Sequence, residues 1–300
     1  MLKETKIFII SSIVTLFIFN LYQIQLSGNY YNQVLIFCLP MLWPGIAHGS
    51  LDILIAKNIG IIKTKKHIVG FFFLYIFLAG LMIFFWYKLP FFSLIFFLII
   101  SVMHFGISDN LKTDEKNYLF KMLIRGFTPI CIPMFFHQKE VENIFFILTK
   151  NSALIEKIYL INIWITLFTF ILLLILIIKT LFNEEKSFVK DKFFHEYICI
   201  SFCFYYFEPL LAFFLYFCFF HSLRHLFVEK KNLDLSFKTL VLATIPMTFL
   251  SLIFIVSLYY YNSVFGFSEA QIFVLFLALA GLTLPHMILI NFSRFLIKST

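Results

Sequence analysis

Residues 158–178 read IYLINIWITLFTFILLLILII, a run without a charged side chain, bounded by Lys157 and Lys179. A helix needs ~20 mostly apolar residues to cross the hydrocarbon core of a bilayer, where its backbone groups are satisfied within the segment itself. The run has that length and reads as a membrane-spanning helix. Comparable runs occupy residues 7–25, 33–56, 68–87, 91–108, 240–261 and 270–292. Two regions are less regular. Residues 119–136 are interrupted by Arg125, Pro129 and Pro133, and residues 193–228 are too long for one span and hold Glu208-Pro209 in their middle. Proline disfavours helix at the preceding residue and removes a donor, so Glu208-Pro209 reads as a turn between a short helix and a second one ending near His225. The expected fold is all-α: a polytopic integral membrane helical bundle of about 8–10 transmembrane helices. It is expected to form a single transmembrane domain over residues 1–300.

Composition agrees. Hydrophobic side chains make up 61% of the 300 residues and charged ones 13%, against roughly a quarter charged in soluble domains. The net charge of +8 fits Lys-rich cytoplasmic loops, so nucleic acid is not an expected partner. All five cysteines lie in or beside apolar runs, as small buried hydrophobes and not as a disulfide or zinc framework. The first run lacks a small-residue cleavage site and leads into further spans, so it reads as a first span and not a removed signal peptide.

Lys and Arg orient the bundle, because short cytoplasmic loops are enriched in them. With ten spans drawn, one side receives Lys3, Lys6, Lys57, Lys63, Lys65, Lys66, Lys112, Lys116, Lys121 and Arg125. The same side then receives Lys179, Lys186, Lys190, Lys192, Lys230, Lys231, Lys238, Arg294 and Lys298. The other side has Lys88, Lys139, Lys150 and Lys157. Both termini are therefore expected in the cytoplasm.

The eight histidines sort by depth. His67, His137 and His195 fall at span ends, where a solvated or interfacial histidine needs no explanation. His48, His104, His221, His225 and His286 lie inside apolar runs, where an unpartnered polar group costs several kcal/mol and an ionisable one is a functional candidate. Their spans all run from outside to inside, and each histidine falls in the last third, so five imidazoles share one layer near the cytoplasmic face. His221 and His225, four apart, would share a helix face and can bind one metal ion. Asp52 follows His48 by four residues and Asp109 follows His104 by five. Carboxylates beside histidines commonly accept the second ring N–H, so both aspartates are expected behind the ligands and not among them. Neutral imidazole suits Fe, Cu, Zn or Ni. Arg224 is expected to snorkel to the interface or to pair with Asp52 or Asp109. Gly49 and Gly106 are expected at close helix contacts. A proton- or metal-coupled transporter could use such a histidine and aspartate set as a relay, and a haem protein could use histidine pairs as axial ligands.

Five motifs in order narrow these possibilities: His48-Gly-Ser-Leu-Asp52, His104-Phe-Gly-Ile-Ser-Asp109, Arg125-Gly126 followed by Pro129 and Pro133, His221-Ser-Leu-Arg-His225, and Leu284-Pro-His-Met287. Together the chain resembles the Brp/Blh family of β-carotene 15,15′-dioxygenases, across most of its length. The resemblance implies an Fe(II)-dependent enzyme of a prokaryotic cytoplasmic membrane that cleaves the central double bond of β-carotene with O2 to give two molecules of retinal. It further implies His48, His104, His221 and His225 as iron ligands; His286 matches a family motif too and is expected beside the metal or the polyene, with Asp52 and Asp109 behind the ligands. Partners implied are the lipid bilayer, the two substrates and a rhodopsin that could take over the retinal.

Overall fold

The computed structural model describes residues 2–22, 30–110, 117–182, 191–264 and 269–299, and among them all regular structure is helical. In chain order the α-helices are α1 (Lys3–Leu21), α2 (Tyr30–Pro40), α3 (Asp52–Asn58), α4 (Lys65–Lys88), α5 (Pro90–Asp109), α6 (Tyr118–Phe136) and α7 (Gln138–Thr149). They continue as α8 (Ser152–Leu181), α9 (Lys192–Tyr206), α10 (Pro209–Tyr216), α11 (Leu223–Asn232), α12 (Phe237–Val264) and α13 (Ala270–Ser299). Nine helical stretches among the described residues are long and apolar enough to cross a membrane. Two of the nine are composite: Asn32–Asn58 takes in α2 and α3, and Pro209–Asn232 takes in α10 and α11. The chain is thus an all-α polytopic membrane bundle. Large apolar side chains such as Phe73, Trp164 and Phe249 stand exposed on α4, α8 and α12, a surface that suits lipid and not water.

The count is one short of the ten spans drawn from sequence. The difference is α9, whose 15 residues extend about 22 Å at 1.5 Å per residue, short of a ~30 Å hydrocarbon core. The turn expected at Glu208-Pro209 is present: α9 ends at Tyr206 and Pro209 is the first residue of α10. An unforeseen helix, α7, buries Val141, Ile144, Phe145 and Leu148, the spacing of one helix face. Lys112, Lys116, Lys186 and Lys190, and the end of the first expected span beyond Tyr22, lie outside the described residues, as do the side chains of Arg294 and Lys298.

The helices that bear the buried histidines are irregular where they bear them. Pro44 disfavours helix at the residue before it, and Trp43 is extended (φ −142°, ψ 119°) inside the wide turn Met41–Gly45. The chain then tightens into a 3₁₀ segment, Ile46–Leu51, that holds His48. A wide π-helical turn, Phe217–Ser222, holds His221 between α10 and α11. Pro285 lies inside α13 just before His286. His104 in α5 and His225 in α11 stand on regular helix, and α5 is clamped on α6. A Cβ on Gly106 would lie 2.5 Å from the Met122 carbonyl oxygen, and one on Gly126 would collide with the Val102 carbonyl. Gly49, by contrast, has ordinary space around it: a Cβ there would meet His286 Nδ1 at 3.8 Å.

Candidate metal centre

The five buried histidines meet. His48 is the hub, with ring centroids 5.0 Å from His286, 5.4 Å from His225, 5.5 Å from His221 and 6.5 Å from His104. His104 lies 4.8 Å from His221 and 5.3 Å from His286, and His225 lies 5.1 Å from His286. Four separate stretches of chain supply these rings, as the shared layer required.

Hydrogen bonds fix which nitrogen carries the proton in three of the rings. A carboxylate or a carbonyl only accepts, so a ring nitrogen bonded to one must donate, which leaves the other nitrogen with its lone pair. His286 Nδ1 donates to Asp52, 2.8 Å to Oδ1. His221 Nδ1 donates to Asp109 Oδ1 at 3.0 Å. His48 Nδ1 donates to the Gly45 carbonyl, with Ser222 Oγ 3.1 Å away. Three Nε2 atoms are therefore lone-pair donors. Each aspartate is itself held by a tyrosine: Tyr75 donates to Asp52 Oδ2 at 3.0 Å and Tyr216 donates to Asp109 Oδ2.

Neither aspartate holds the histidine nearest it in sequence. In a 3₁₀ segment, with about three residues per turn, the fourth residue on lies about 120° around the axis, so Asp52 turns away from His48. On an α-helix a five-residue step is about 140° off, so Asp109 turns away from His104. Both reach across to histidines on other helices.

These residues fit a metal ion. His221 Nε2 and His104 Nε2 are 3.0 Å apart, and two such nitrogens share either a proton or a cation. The separation matches two ligands with bonds of about 2.1 Å at roughly a right angle. One ligand atom from each of His48, His104 and His286 falls within 4.8 Å of the others. His286 Nε2 is buried without a hydrogen-bond partner among the described residues, a costly state for a polar atom that a metal bond relieves. Sequence reasoning put His286 beside the metal; the geometry brings its nitrogen in among the others.

A cavity of about 380 Å³ reaches the histidines from one side. His48, His286, Asp52 and Tyr75 stand on its wall, and most of the remainder is apolar. Ile76 of α4 and Leu250 and Ile253 of α12 line it while being 66%, 50% and 48% exposed, so it opens sideways onto the lipid-facing surface.

Arg224 does not snorkel. It is 2% exposed, donates from Nη1 to the Asp109 backbone carbonyl at 2.8 Å, and pairs with Glu196 at 2.6 Å and Glu4 at 3.1 Å. Arg125 holds the other oxygen of Glu196 at 2.7 Å. These acids, Tyr75 and Tyr216 escaped the sequence reading; an acid at each of two helix starts with a buried arginine elsewhere was the available signal. Of the remaining histidines, His67 caps α4 through Thr64, and His137 and His195 bond nearby backbone carbonyls.

The model of the family described as "Beta-carotene 15,15'-dioxygenase" matches residues 39–293. A protein of that name from an uncultured marine bacterium, 66A03, is 32% identical over 259 residues, which cover 83% of this chain and 89% of the relative. No solved structure matches the chain.

Proposed function

The chain belongs to the β-carotene 15,15′-dioxygenase family, and from that premise we propose that it cleaves the central double bond of β-carotene with O2 to give two molecules of retinal. The balance is closed: one C=C and one O=O bond break, two C=O bonds form, and no further reductant is needed. The observation that carries the reading is the buried cluster in which His48, His104 and His286 each bring a ligand atom within 4.8 Å of the others, with His48 and His286 on the wall of a lipid-facing cavity.

Ferrous iron is the proposed ion, and when bound it supplies the activation of dioxygen that a closed-shell polyene cannot supply itself. His48, His104, His221 and His225 are its proposed ligands, and His286 joins them; His48 and His286 are the two of the five that face the cavity. Asp52 and Asp109 hold His286 and His221 in the tautomer that binds metal, and Tyr75 and Tyr216 hold the aspartates. A conjugated polyene offers many similar double bonds, so position alone selects the central one, and the apolar walls set that position. The same walls exclude water. β-Carotene enters laterally from the bilayer, and retinal leaves to the membrane or to a rhodopsin. The setting proposed is the cytoplasmic membrane of a prokaryote.

Expression in carotene-producing cells tests the reading. Retinal should accumulate as the orange pigment fades. Persistent pigment without retinal, in cells containing folded, iron-loaded protein, would sink it.

A further inference from the structure

A second cavity, of about 90 Å³, lies beyond the histidines. Phe105 forms part of its wall and packs its ring 4.9 Å from His221 and 5.7 Å from His104. Phe213, also in its wall, stacks at 5.3 Å on Phe217, which lines the larger cavity and lies 5.4 Å from His48. A pair of stacked rings thus links the walls of the two cavities; the larger touches the imidazoles directly, and the smaller comes within one aromatic side chain of them. Ser101 supplies the one polar side chain among the residues that line the smaller space.

We propose that this second cavity holds molecular oxygen for the histidine centre. The proposal rests on the dioxygenase reading above. Its first support is size: the space suits a diatomic gas and is far too small for half of a C40 polyene. The second is polarity, since a space with almost wholly apolar walls favours apolar guests such as xenon over water. The third is position. A carotenoid filling the larger cavity would block that route to the histidines, and a gas held behind Phe105 needs no share of it.

Two measurements on the full chain test this. Under xenon pressure, crystals should show xenon bounded by Phe105, Ile144 and Phe213, and Ile144→Phe should displace it. The same substitution, or Val141→Phe from the same wall should Ile144→Phe fail to fold, should raise KM for dioxygen by about threefold or more. KM for β-carotene should stay as it was. Absence of xenon from this cavity in the wild-type chain overturns the proposal, as does a changed KM for β-carotene with that for dioxygen unmoved. A wild-type chain that takes up xenon here yet makes no retinal overturns the dioxygenase reading instead, so the two failures are told apart.

Discussion

Two arms of like composition hold the histidine centre: Tyr75–Asp52–His286 and Tyr216–Asp109–His221. All three members of the first arm line the large cavity. The second is sealed, with His221 fully buried, Phe105 packed on both His221 and Tyr216, and Arg224 gripping the Asp109 backbone. The same hydrogen-bond logic therefore serves two settings. One arm fixes a histidine on the wall of a cavity; the other fixes a histidine away from it.

The largest effect should separate a ligand from a wall residue. His221→Ala should abolish both iron retention and cleavage, measured as bound iron and retinal formed. His286→Ala should do the same. Iron retained in that variant with cleavage lost would leave His286 as a cavity wall residue and end its place among the ligands. Next come the aspartates. Asp109→Asn and Asp52→Asn should each weaken iron binding by about 10- to 100-fold. KM for β-carotene should move only for Asp52→Asn, because Asp52 alone of the two touches the cavity. Equal KM changes in both would erase the distinction between the arms. Gly126→Ala forces α6 off α5, which bears His104 and Asp109, and should cost about 1–3 kcal/mol of stability. A lowered midpoint of thermal unfolding in detergent would register it. The smallest contrast lies in the tyrosines. Tyr216→Phe leaves a buried carboxylate oxygen short of a donor and should cost about 1–3 kcal/mol, while Tyr75→Phe at the cavity wall should cost less. Equal unfolding midpoints would show the two settings to be alike after all.

Much of this was legible in the sequence because a membrane leaves few polar residues to interpret. The apolar runs drew the spans, the lysines oriented them, and five histidines at one depth marked the centre before any distance was known. What stayed hidden depends on helix phase. Asp52 and Asp109 stand beside His48 and His104 in the chain, yet a 3₁₀ segment and a five-residue step rotate them toward His286 and His221. Tyr75 and Tyr216 look like any other aromatic among 14 tyrosines, since nothing local shows that a carboxylate from another helix awaits them. Arg224 read as an interface residue because Glu4 and Glu196, its actual partners, lie 220 and 28 residues away.

The Glu4–Arg224 pair also imposes an order on biosynthesis. At about 5–20 residues per second, 220 residues of translation separate the two by roughly 10 to 45 s. Helix α1 enters the membrane with a carboxylate whose counter-charge has not yet been made, and the sealed arm of the centre closes only after α11 emerges. Agents that delay or detach α1 during insertion should therefore leave the histidines assembled around a loose Asp109, a defect that would show as poor iron loading in a protein of normal abundance.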